Sequence, residues 1–417
     1  MSEIVINGGN RLCGELSVQG AKNSVLPVLA ATVLCDGECV IHNCPKLSDV
    51  ETSLKILSHL GCRCRNENGT VITDGTNACN YDIPDTLMRE MRSSVVFLGA
   101  MIGRTGRAVI SSPGGCELGP RPIDLHLSSL EKMGVTVHEE HGYLNCVAKD
   151  GLKGAEITLN FPSVGATENI ILAAVTADGE TVIHGAAKEP EISDLADFLN
   201  RAGARINGCG SDTVRIQGVN ALKGTEHTII PDRIVAATYM ACAAITGGEL
   251  TLKNAMPPHM ASVLWLFKET GCKVNISGKS IRLKAPERLC RVPTVRSLVY
   301  PGFPTDAGPI AAALLCRADG TSVFVENIFE NRFRYVDELK RFGAKIKTEG
   351  KIAVIEGVDR LSAADCKATD LRGGAAIVIA ALAAAGESRI SEIHHIERGY
   401  DDIAGALAAL GAQIKKE

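Results

Sequence analysis

One short pattern recurs six times along this chain, and it restricts the possible folds more than any other feature. It consists of two apolar positions three residues apart, a glycine, and then alternating apolar residues. Its glycines, spaced by about 70 residues, are Gly61, Gly134, Gly203, Gly271, Gly343 and Gly411. A glycine after an amphipathic segment, followed at once by alternation, indicates a helix that leads directly into a strand. The fixed period therefore predicts a repeat architecture of six units.

A second pattern precedes each of these, as in "LAAVTADGETVI" and "ALAAAGESRI". It indicates an alanine-rich helix, a glycine and another strand. Each unit then reads strand, strand, helix, strand, helix, strand. Two successive strands in every unit, and no GxGxxG segment after a strand, argue against a doubly wound parallel sheet. The Asn68-Gly69 pair predicts a hairpin turn.

The two ends of the chain complete the pattern. The last unit stops at "GAQIKKE" without its second strand, and the first residues, "EIVINGGNRLCGEL", match the missing piece. We therefore expect the N-terminal strands to pair with the C-terminal one. A chain of 417 residues exceeds one ordinary core. The predicted domains, of three repeats each, are residues 22–229 and residues 1–21 plus 230–417.

Composition excludes several classes of partner. A net charge of −4 provides no overall basic field for nucleic acid or an anionic membrane. No signal-peptide pattern opens the chain, and fifteen cysteines without one predict free thiols in the cytoplasm. Cys39, Cys44, Cys62 and Cys64 lack CxxC spacing, so apolar packing is favoured over a zinc site.

The first helix of each unit begins at an equivalent place, and charged residues collect there. The cations are Lys22, Arg92, Arg233 and Arg372, and the anions are Asp232, Asp306 and Asp370. Helix N-termini favour anions, so added Lys and Arg predict a surface for phosphate or carboxylate groups. Ser163, Asp232 and Asp370 are equally well explained as helix caps. Lys22 and Arg92 oppose the helix dipole, which favours a functional interpretation.

Three loops also lie at equivalent points, after the strand that follows a first helix. They contain Cys116, Arg121, Arg332 and Arg398. The first, "SSPGGCELGPRPIDLH", is the longest and richest in glycine, so it is the candidate lid. Its cysteine is either reactive, with Arg121 lowering the thiol pKa, or incidental. His394 and His395 are interpreted as structural or solvated. These residues predict a polyanionic substrate in a cleft between the domains, but they name no reaction.

Six motifs resemble those of the UDP-N-acetylglucosamine 1-carboxyvinyltransferase family. They are "GAKNSVLP", "PGGCELGPRPIDLH", "YPGFPTD", "IFENRF", "ATDLRGGAA" and "HIERGY". The resemblance implies an α/β fold of two inside-out barrels, each of three repeats. It also implies transfer of the enolpyruvyl group of phosphoenolpyruvate to the 3'-hydroxyl of UDP-N-acetylglucosamine, the first committed step of peptidoglycan synthesis. It implies a cytoplasmic monomer without metal or organic cofactor.

The resemblance also implies roles for single residues. Cys116 would be the general acid toward phosphoenolpyruvate, and Asp306 would take the proton of the sugar hydroxyl, with Asp370 in support. Residues expected to bind phosphoenolpyruvate are Lys22, Asn23, Arg121, Arg332, Arg372 and Arg398, of which Lys22 and Arg398 also serve catalysis. Residues expected to bind the nucleotide sugar are Asn23, Arg92, Arg121, Pro122, Ile123, Asp124, Leu125, Ser163, Val164, Gly165, Asp306 and Ile328.

Two departures from the family pattern carry expectations of their own. Gly308 and Pro309 stand where glutamines are common after "PTDA", which should alter the helix start but not the Asp306 carboxylate. The segment "NFPSVGA" lacks a lysine that some members carry, so one diphosphate contact is missing or supplied elsewhere.

Two other functions are considered beside this one. The sister enzyme, 5-enolpyruvylshikimate-3-phosphate synthase, has the same fold but lacks the cysteine loop. A non-catalytic nucleotide-sugar sensor would have lost some of Lys22, Cys116, Asp306 or Arg398, and all four are present.

Overall fold

The structure, a computed structural model, describes residues 2–111 and 123–417. This part of the chain divides into two compact units, each with its own hydrophobic core. The N-terminal unit comprises residues 20–111 and 123–230, and the C-terminal unit comprises residues 2–19 and 231–417.

Strands and helices follow the predicted repeat in five units, and the second unit along the chain departs from it in its sheet. The chain begins with β1 (Ile4–Asn7) and β2 (Cys13–Ser17), which belong to the C-terminal unit. The elements of the N-terminal unit are α1 (Lys22–Ala31), β3 (Cys35–Asp36), β4 (Glu38–His42), α2 (Ser48–His59), β5 (Arg63–Glu67), β6 (Thr70–Asp74), α3 (Asp85–Glu90), α4 (Phe97–Thr105), β7 (Arg107–Ser111), α5 (Asp124–Lys132), β8 (Thr136–Glu140), β9 (Tyr143–Val147), β10 (Glu156–Thr158), α6 (Val164–Ala174), β11 (Glu180–His184), α7 (Pro190–Arg201), β12 (Arg205–Asn207), β13 (Thr213–Gln217), β14 (Leu222–Lys223) and β15 (Glu226–Thr228).

The C-terminal unit repeats the same succession. Its remaining elements are α8 (Arg233–Ile245), β16 (Glu249–Lys253), α9 (Ala261–Glu269), β17 (Lys273–Ser277), β18 (Ser280–Lys284), β19 (Leu289–Cys290), β20 (Thr294–Arg296), α10 (Gly308–Leu315), β21 (Ala318–Asp319), β22 (Thr321–Val325), α11 (Val336–Arg341), β23 (Lys345–Glu349), β24 (Ile352–Glu356), β25 (Leu361–Ser362), β26 (Asp365–Lys367), α12 (Leu371–Ala383), β27 (Ala384–Ala385), β28 (Glu387–Ser391), α13 (His394–Glu397), α14 (Ile403–Ala409) and β29 (Gln413–Lys416). Short 3-10 helices cover Thr32–Leu34, Arg92–Val96, Pro257–Met260, Thr305–Ala307 and Arg332–Tyr335.

Five repeats each build a four-stranded sheet of one design. One outer strand is parallel to its neighbour, and the remaining pairs are antiparallel. The strand orders are β15-β4-β6-β5, β10-β11-β13-β12, β2-β16-β18-β17, β20-β22-β24-β23 and β26-β28-β1-β29. In the remaining repeat, which is the second along the chain, β7, β9 and β8 form a three-stranded sheet. Asp82 adds a parallel bridge to Val109 of β7. β1 lies between β28 and β29, antiparallel to both.

The six recurring glycines end the second helix of each repeat. Each lies two residues beyond a helix with a φ between 84° and 108°, a conformation that strains any residue with a Cβ atom. The N–H of the residue after the glycine then closes the helix, as when Cys62 N donates to Leu57 O at 2.9 Å. This confirms the predicted helix-to-strand junctions. The Asn68-Gly69 turn is confirmed as well, with φ values of 51° and 84° between β5 and β6.

The alanine-rich helices form the interior of each unit. α8, α10 and α12 pack against one another, and α4 packs against α1 and α6. α12 is buried at every residue from 372 to 382, as expected for a helix that is apolar all round. No helix in the described residues is both long and apolar enough to cross a bilayer. The N-terminal ends of these helices carry most of the predicted site residues.

The four cysteines considered for zinc lie in or next to the N-terminal core. Cys39 belongs to β4 and Cys64 to β5, while Cys44 and Cys62 are buried. Burial raises the pKa of Cys44 and of Cys62 to about 12. Cys44 and Cys62 lie among the buried apolar residues of the N-terminal core, which agrees with the predicted apolar packing of these thiols.

Gly99 offers a test of how closely the interior helices pack. A Cβ atom at this position of α4 would lie 2.2 Å from the backbone oxygen of Asn169 in α6. We expect Gly99→Ala to lower the free energy of unfolding by about 1–3 kcal/mol through overpacking. Without the clash, alanine would stabilise the helix. Urea denaturation measures the change, and Ser58→Ala on the exposed face of α2 should be nearly neutral. A Gly99→Ala protein as stable as the wild type would contradict this packing.

Candidate active site

Lys22 is the first residue of α1 and lies in a buried ion pair. Its Nζ is 2.6 Å from Oδ2 of Asp49, and the exposed fractions of the two side chains are 8% and 1%. A cation at a helix N-terminus is unfavourable, and the Asp49 carboxylate supplies the opposite charge. Asn23, the next residue, is exposed. Asp49 was not predicted, because an acidic residue in the first turn of α2 has the pattern of an ordinary helix start.

The first turn of α1 is fixed by tertiary contacts, since its N-cap residue Ala21 provides no side-chain cap. The Asp194 carboxylate accepts hydrogen bonds from Ser24 Oγ and, at 3.4 Å, from Ile230 N. Its other oxygen lies 3.0 Å from His227 Nε2. All three side chains are buried. Asp194 therefore anchors the turn that presents Lys22 and Asn23, and no local sequence pattern predicted this role.

Asn169 is hydrogen-bonded to three of the elements that carry residues predicted to bind the nucleotide sugar. Its Oδ1 accepts from Gly99 N at 2.6 Å, which fixes the orientation of the amide. Its Nδ2 lies 2.9 Å from His126 Nδ1 in α5, and 3.1 Å and 3.2 Å from the carbonyl oxygens of Val95 and Gly165. Asn169 thus connects the start of α6 with α5 and with the 3-10 helix that Arg92 begins.

The predicted nucleotide-sugar residues occupy the ends of these connected elements. Ile123 precedes α5, and Asp124 and Leu125 are its first residues. Ser163 is the N-cap of α6, where its side chain accepts from Ala166 N at 3.3 Å, and Val164 and Gly165 follow. The capping interpretation of Ser163 is therefore confirmed. The N-terminal end of a helix favours anions, so this turn suits a phosphate group.

In the C-terminal unit, Asp306 lies between two arginines. Its Oδ1 is 3.3 Å from Arg332 Nη2 and its Oδ2 is 3.4 Å from Arg372 Nε. The arginine side chains are 2% and 3% exposed, whereas the Asp306 side chain is 30% exposed. Solvent or a substrate can therefore reach the carboxylate, while the two buried guanidinium groups orient it.

Arg372 is stabilised as a cation by several neighbours. Burial disfavours the charged guanidinium, but Tyr400, Asp306 and Asp232 outweigh burial and raise the pKa of Arg372. Its Nη1 donates to Tyr400 Oη at 3.4 Å, and Thr238 Oγ1 lies 2.8 Å from the same phenol oxygen. Burial raises the pKa of Tyr400.

The two other predicted acids of this unit cap helices. Asp232 accepts from Ile234 N at 2.8 Å and Val235 N at 3.0 Å. Asp370 accepts from Arg372 N and Gly373 N, both at 3.0 Å. Capping is confirmed for both. Because Asp370 caps the turn that contains Arg372, it also fixes the backbone from which the Arg372 side chain extends.

Arg398 follows α13 and is half-buried. Gln19 holds this segment from two sides, donating through Nε2 to Gly399 O at 3.2 Å and accepting from Asp401 N at 3.0 Å. The N-terminal segment thus supports a predicted site residue. Gln19 was not predicted, because no local pattern marks it.

Gly308 and Pro309 are the first two residues of α10, the helix that follows Asp306. Thr305–Ala307 forms a 3-10 turn, and α10 then begins at Gly308 with Pro309 in its first turn, where a missing N–H is tolerated. A Cβ atom at residue 308 would lie 2.9 Å from the ring of Phe324. A residue with a Cβ atom at this position would therefore require the Phe324 ring to shift. The predictions for Cys116, Arg121 and Pro122 lie outside the described residues.

Comparison with known proteins places this arrangement in a family. The sequence profile described as EPSP synthase (3-phosphoshikimate 1-carboxyvinyltransferase) matches residues 6–407. UDP-N-acetylglucosamine 1-carboxyvinyltransferase 2 of Caldanaerobacter subterraneus subsp. tengcongensis is 51% identical over 414 residues, which cover 99% of each chain. The chain belongs to the UDP-N-acetylglucosamine 1-carboxyvinyltransferase family. A second member, UDP-N-acetylglucosamine 1-carboxyvinyltransferase 1 of Staphylococcus aureus, is 45% identical over 100% of this chain and 99% of its own length.

Solved structures confirm the predicted fold class. The enolpyruvyl transferase NikO from Streptomyces tendae matches with a TM-score of 0.89 at 24% identity, covering 100% of this chain and 98% of its own. EPSP synthase from Acinetobacter baumannii matches with a TM-score of 0.76 at 20% identity, covering 100% of both chains. The family therefore shares its α/β repeat fold with relatives that differ widely in sequence.

The arrangement can bind anions and move a proton. In the C-terminal unit, Arg332, Arg372 and Arg398 supply cations that can bind a phosphate or a carboxylate. In the N-terminal unit, Lys22 supplies another cation. Asp306 supplies a carboxylate that can accept a proton. Within the described ranges no group of three or more His, Cys, Asp or Glu side chains is placed to hold a metal ion.

Proposed function

We propose that the protein transfers the enolpyruvyl group of phosphoenolpyruvate to the 3'-hydroxyl of UDP-N-acetylglucosamine and releases phosphate. This reaction is the first committed step of peptidoglycan synthesis. The observation that carries the proposal is the Asp306 carboxylate, 30% exposed and held by two buried arginines. Such a carboxylate suits the removal of a proton from an uncharged hydroxyl next to a polyanionic partner.

Phosphoenolpyruvate is a small polyanion, and its phosphate and carboxylate need several cations. We assign the binding of these groups to the cations Lys22, Arg121, Arg332, Arg372 and Arg398, with the neutral amide of Asn23 as a further contact. Arginine suits both groups because its donors form a planar fork, whereas lysine acts as a point charge. The buried Asp49 that pairs with Lys22 keeps its ammonium group in one place.

The chemistry proceeds by addition and elimination. The sugar hydroxyl attacks the second carbon of phosphoenolpyruvate while Asp306 accepts its proton. Cys116 donates a proton to the methylene carbon, which gives a tetrahedral intermediate with a methyl group. Phosphate then leaves, and one methyl proton returns to the Cys116 thiolate, which forms the enol ether and restores the thiol. The cations stabilise the negative charge of the intermediate and of the leaving phosphate.

The nucleotide sugar is assigned to the elements that Asn169 connects. Residues of this set are Asn23, Arg92, Arg121, Pro122, Ile123, Asp124, Leu125, Ser163, Val164, Gly165, Asp306 and Ile328. The N-terminal ends of helices favour anions, which suits the diphosphate. A cleft location of the site, a monomeric state and a cytoplasmic location stay predictions.

A phosphate-release assay tests the proposal. Release should require both phosphoenolpyruvate and UDP-N-acetylglucosamine. If shikimate 3-phosphate replaced the nucleotide sugar as acceptor, the protein would instead have the sister activity. Tight binding of the nucleotide sugar without phosphate release would make it a sensor.

The epoxide antibiotic fosfomycin tests the role of Cys116. Resemblance to the family implies that the thiolate opens the epoxide, forming a sulfur–carbon bond while the epoxide oxygen takes up a proton. We expect one adduct per chain, on Cys116, by peptide mass spectrometry. The exposed Cys13, Cys79 and Cys290 are internal controls and should stay unlabelled. Labelling of these thiols in place of Cys116 would contradict the assignment.

A further inference from the structure

Glu326 is a buried carboxylate next to the candidate active site that neither the sequence patterns nor the reaction assigns. It follows β22 and is 1% exposed. Its Oε1 accepts from Ser297 Oγ at 2.8 Å, Ile328 N at 2.7 Å and Phe329 N at 3.1 Å. Its Oε2 accepts from Thr305 Oγ1 at 2.9 Å. A carboxylate this deeply buried is costly unless its oxygens are hydrogen-bonded, and here both are.

Two of these partners connect directly to the reaction. Thr305 precedes Asp306 and begins its 3-10 turn, and its carbonyl accepts from Arg332 Nη2 at 3.2 Å. Ile328 is one of the residues assigned to the nucleotide sugar. One carboxylate thus joins the turn that carries the general base to the backbone that contacts the acceptor.

Ser297 adds two hydrogen bonds to the network around Glu326. Its hydroxyl accepts from Asn327 N at 2.8 Å, and its carbonyl accepts from Asn327 Nδ2 at 2.9 Å. Glu326 and Asn327 are therefore joined to Ser297 and Thr305 by four hydrogen bonds. A network in which each buried group is satisfied has a single preferred geometry.

We propose that Glu326 is a positioning residue: it sets the distance between the Asp306 carboxylate and the sugar hydroxyl by holding Thr305 and Ile328 together. The inference rests on the proposed function. Glu326 itself does not contact a substrate. Reacting groups must be held within about 3–3.5 Å of each other, and a misplacement of about 1 Å can cost on the order of 100-fold in rate.

Paired substitutions at Thr305 test this role. Thr305→Val keeps the shape but removes the hydroxyl, whereas Thr305→Ser keeps the hydroxyl and removes a methyl group. We expect Thr305→Val to lower kcat on the order of 10-fold to 100-fold, with little change in KM for phosphoenolpyruvate. Thr305→Ser should restore most of the rate. Thr321→Val, at an exposed position of β22, is the matched control and should keep the wild-type kcat.

The readouts separate positioning from folding and from the proposed function. Equal kcat values for Thr305→Val and Thr305→Ser, with an active wild type, would overturn the role of Glu326. A wild type without phosphate release would overturn the proposed function instead. If Thr305→Val does not fold, Ser297→Ala carries the test: it should raise KM for UDP-N-acetylglucosamine several-fold through Ile328, and an unchanged KM would overturn the proposal.

Discussion

Asp306→Asn should lower kcat for phosphate release by a factor of about 10² to 10⁴, the usual contribution of a general base. The amide keeps the shape of the side chain but cannot accept the hydroxyl proton at a useful rate. Because asparagine retains one oxygen acceptor, the contacts to Arg332 and Arg372 are only partly lost. We therefore expect KM for both substrates to change far less than kcat.

An exposed carboxylate that also pairs with an arginine, but has no proposed role, provides the control. Asp319 pairs with Arg288 through Oδ1 and Nη2 at 3.3 Å and is largely exposed. Asp319→Asn should leave kcat near the wild-type value, since exposed ion pairs contribute little. An Asp306→Asn enzyme within about threefold of the wild-type kcat would remove Asp306 from the role of general base.

Lys22→Met should abolish most activity and also destabilise the fold. The substitution leaves the 1% exposed Asp49 carboxylate without its ammonium partner. Breaking such a buried pair costs about 3–5 kcal/mol. Loss of one cation that stabilises developing charge should separately lower kcat by a factor of about 10² to 10³.

The double substitution Lys22→Met with Asp49→Asn separates the two effects. It removes both charges, so the free energy of unfolding measured in urea should recover most of the loss. Activity should not recover, because the cation for phosphoenolpyruvate is still missing. Recovery of phosphate release in the double variant would show that Lys22 has only a structural role.

The repeat fold was predictable because its signals are local. Each of the six recurring glycines, of which Gly61 is the first and Gly411 the last, has a left-handed conformation after a helix. Only a few residue types adopt this conformation easily. The positions of Lys22, Asp306 and Arg372 at helix starts followed from the same register. Sequence patterns of this kind predict where helices begin and end, and the positions of these side chains follow from the helix starts.

The supporting residues could not be predicted, because their partners are distant in sequence. Asp49, Asp194 and Asn169 lie on helices where an acid or an amide has an ordinary local explanation. Their roles depend on contacts with Lys22, with Ser24 and with Gly99, which only the folded chain brings within hydrogen-bond distance. Glu326 could not be predicted for the same reason. In the sequence it is an ordinary polar residue after a strand, and its four hydrogen-bond donors come from three separate segments.

The most direct test of the proposed activity is to identify its product. The protein is incubated with phosphoenolpyruvate labelled with ¹³C in its carboxyvinyl group and with UDP-N-acetylglucosamine, and the product is examined by NMR spectroscopy. We predict that the label appears in an enol ether attached to the 3' carbon of the sugar, together with an equal amount of free phosphate. Unchanged nucleotide sugar, or a label transferred only to shikimate 3-phosphate when that acceptor is supplied, would contradict the account.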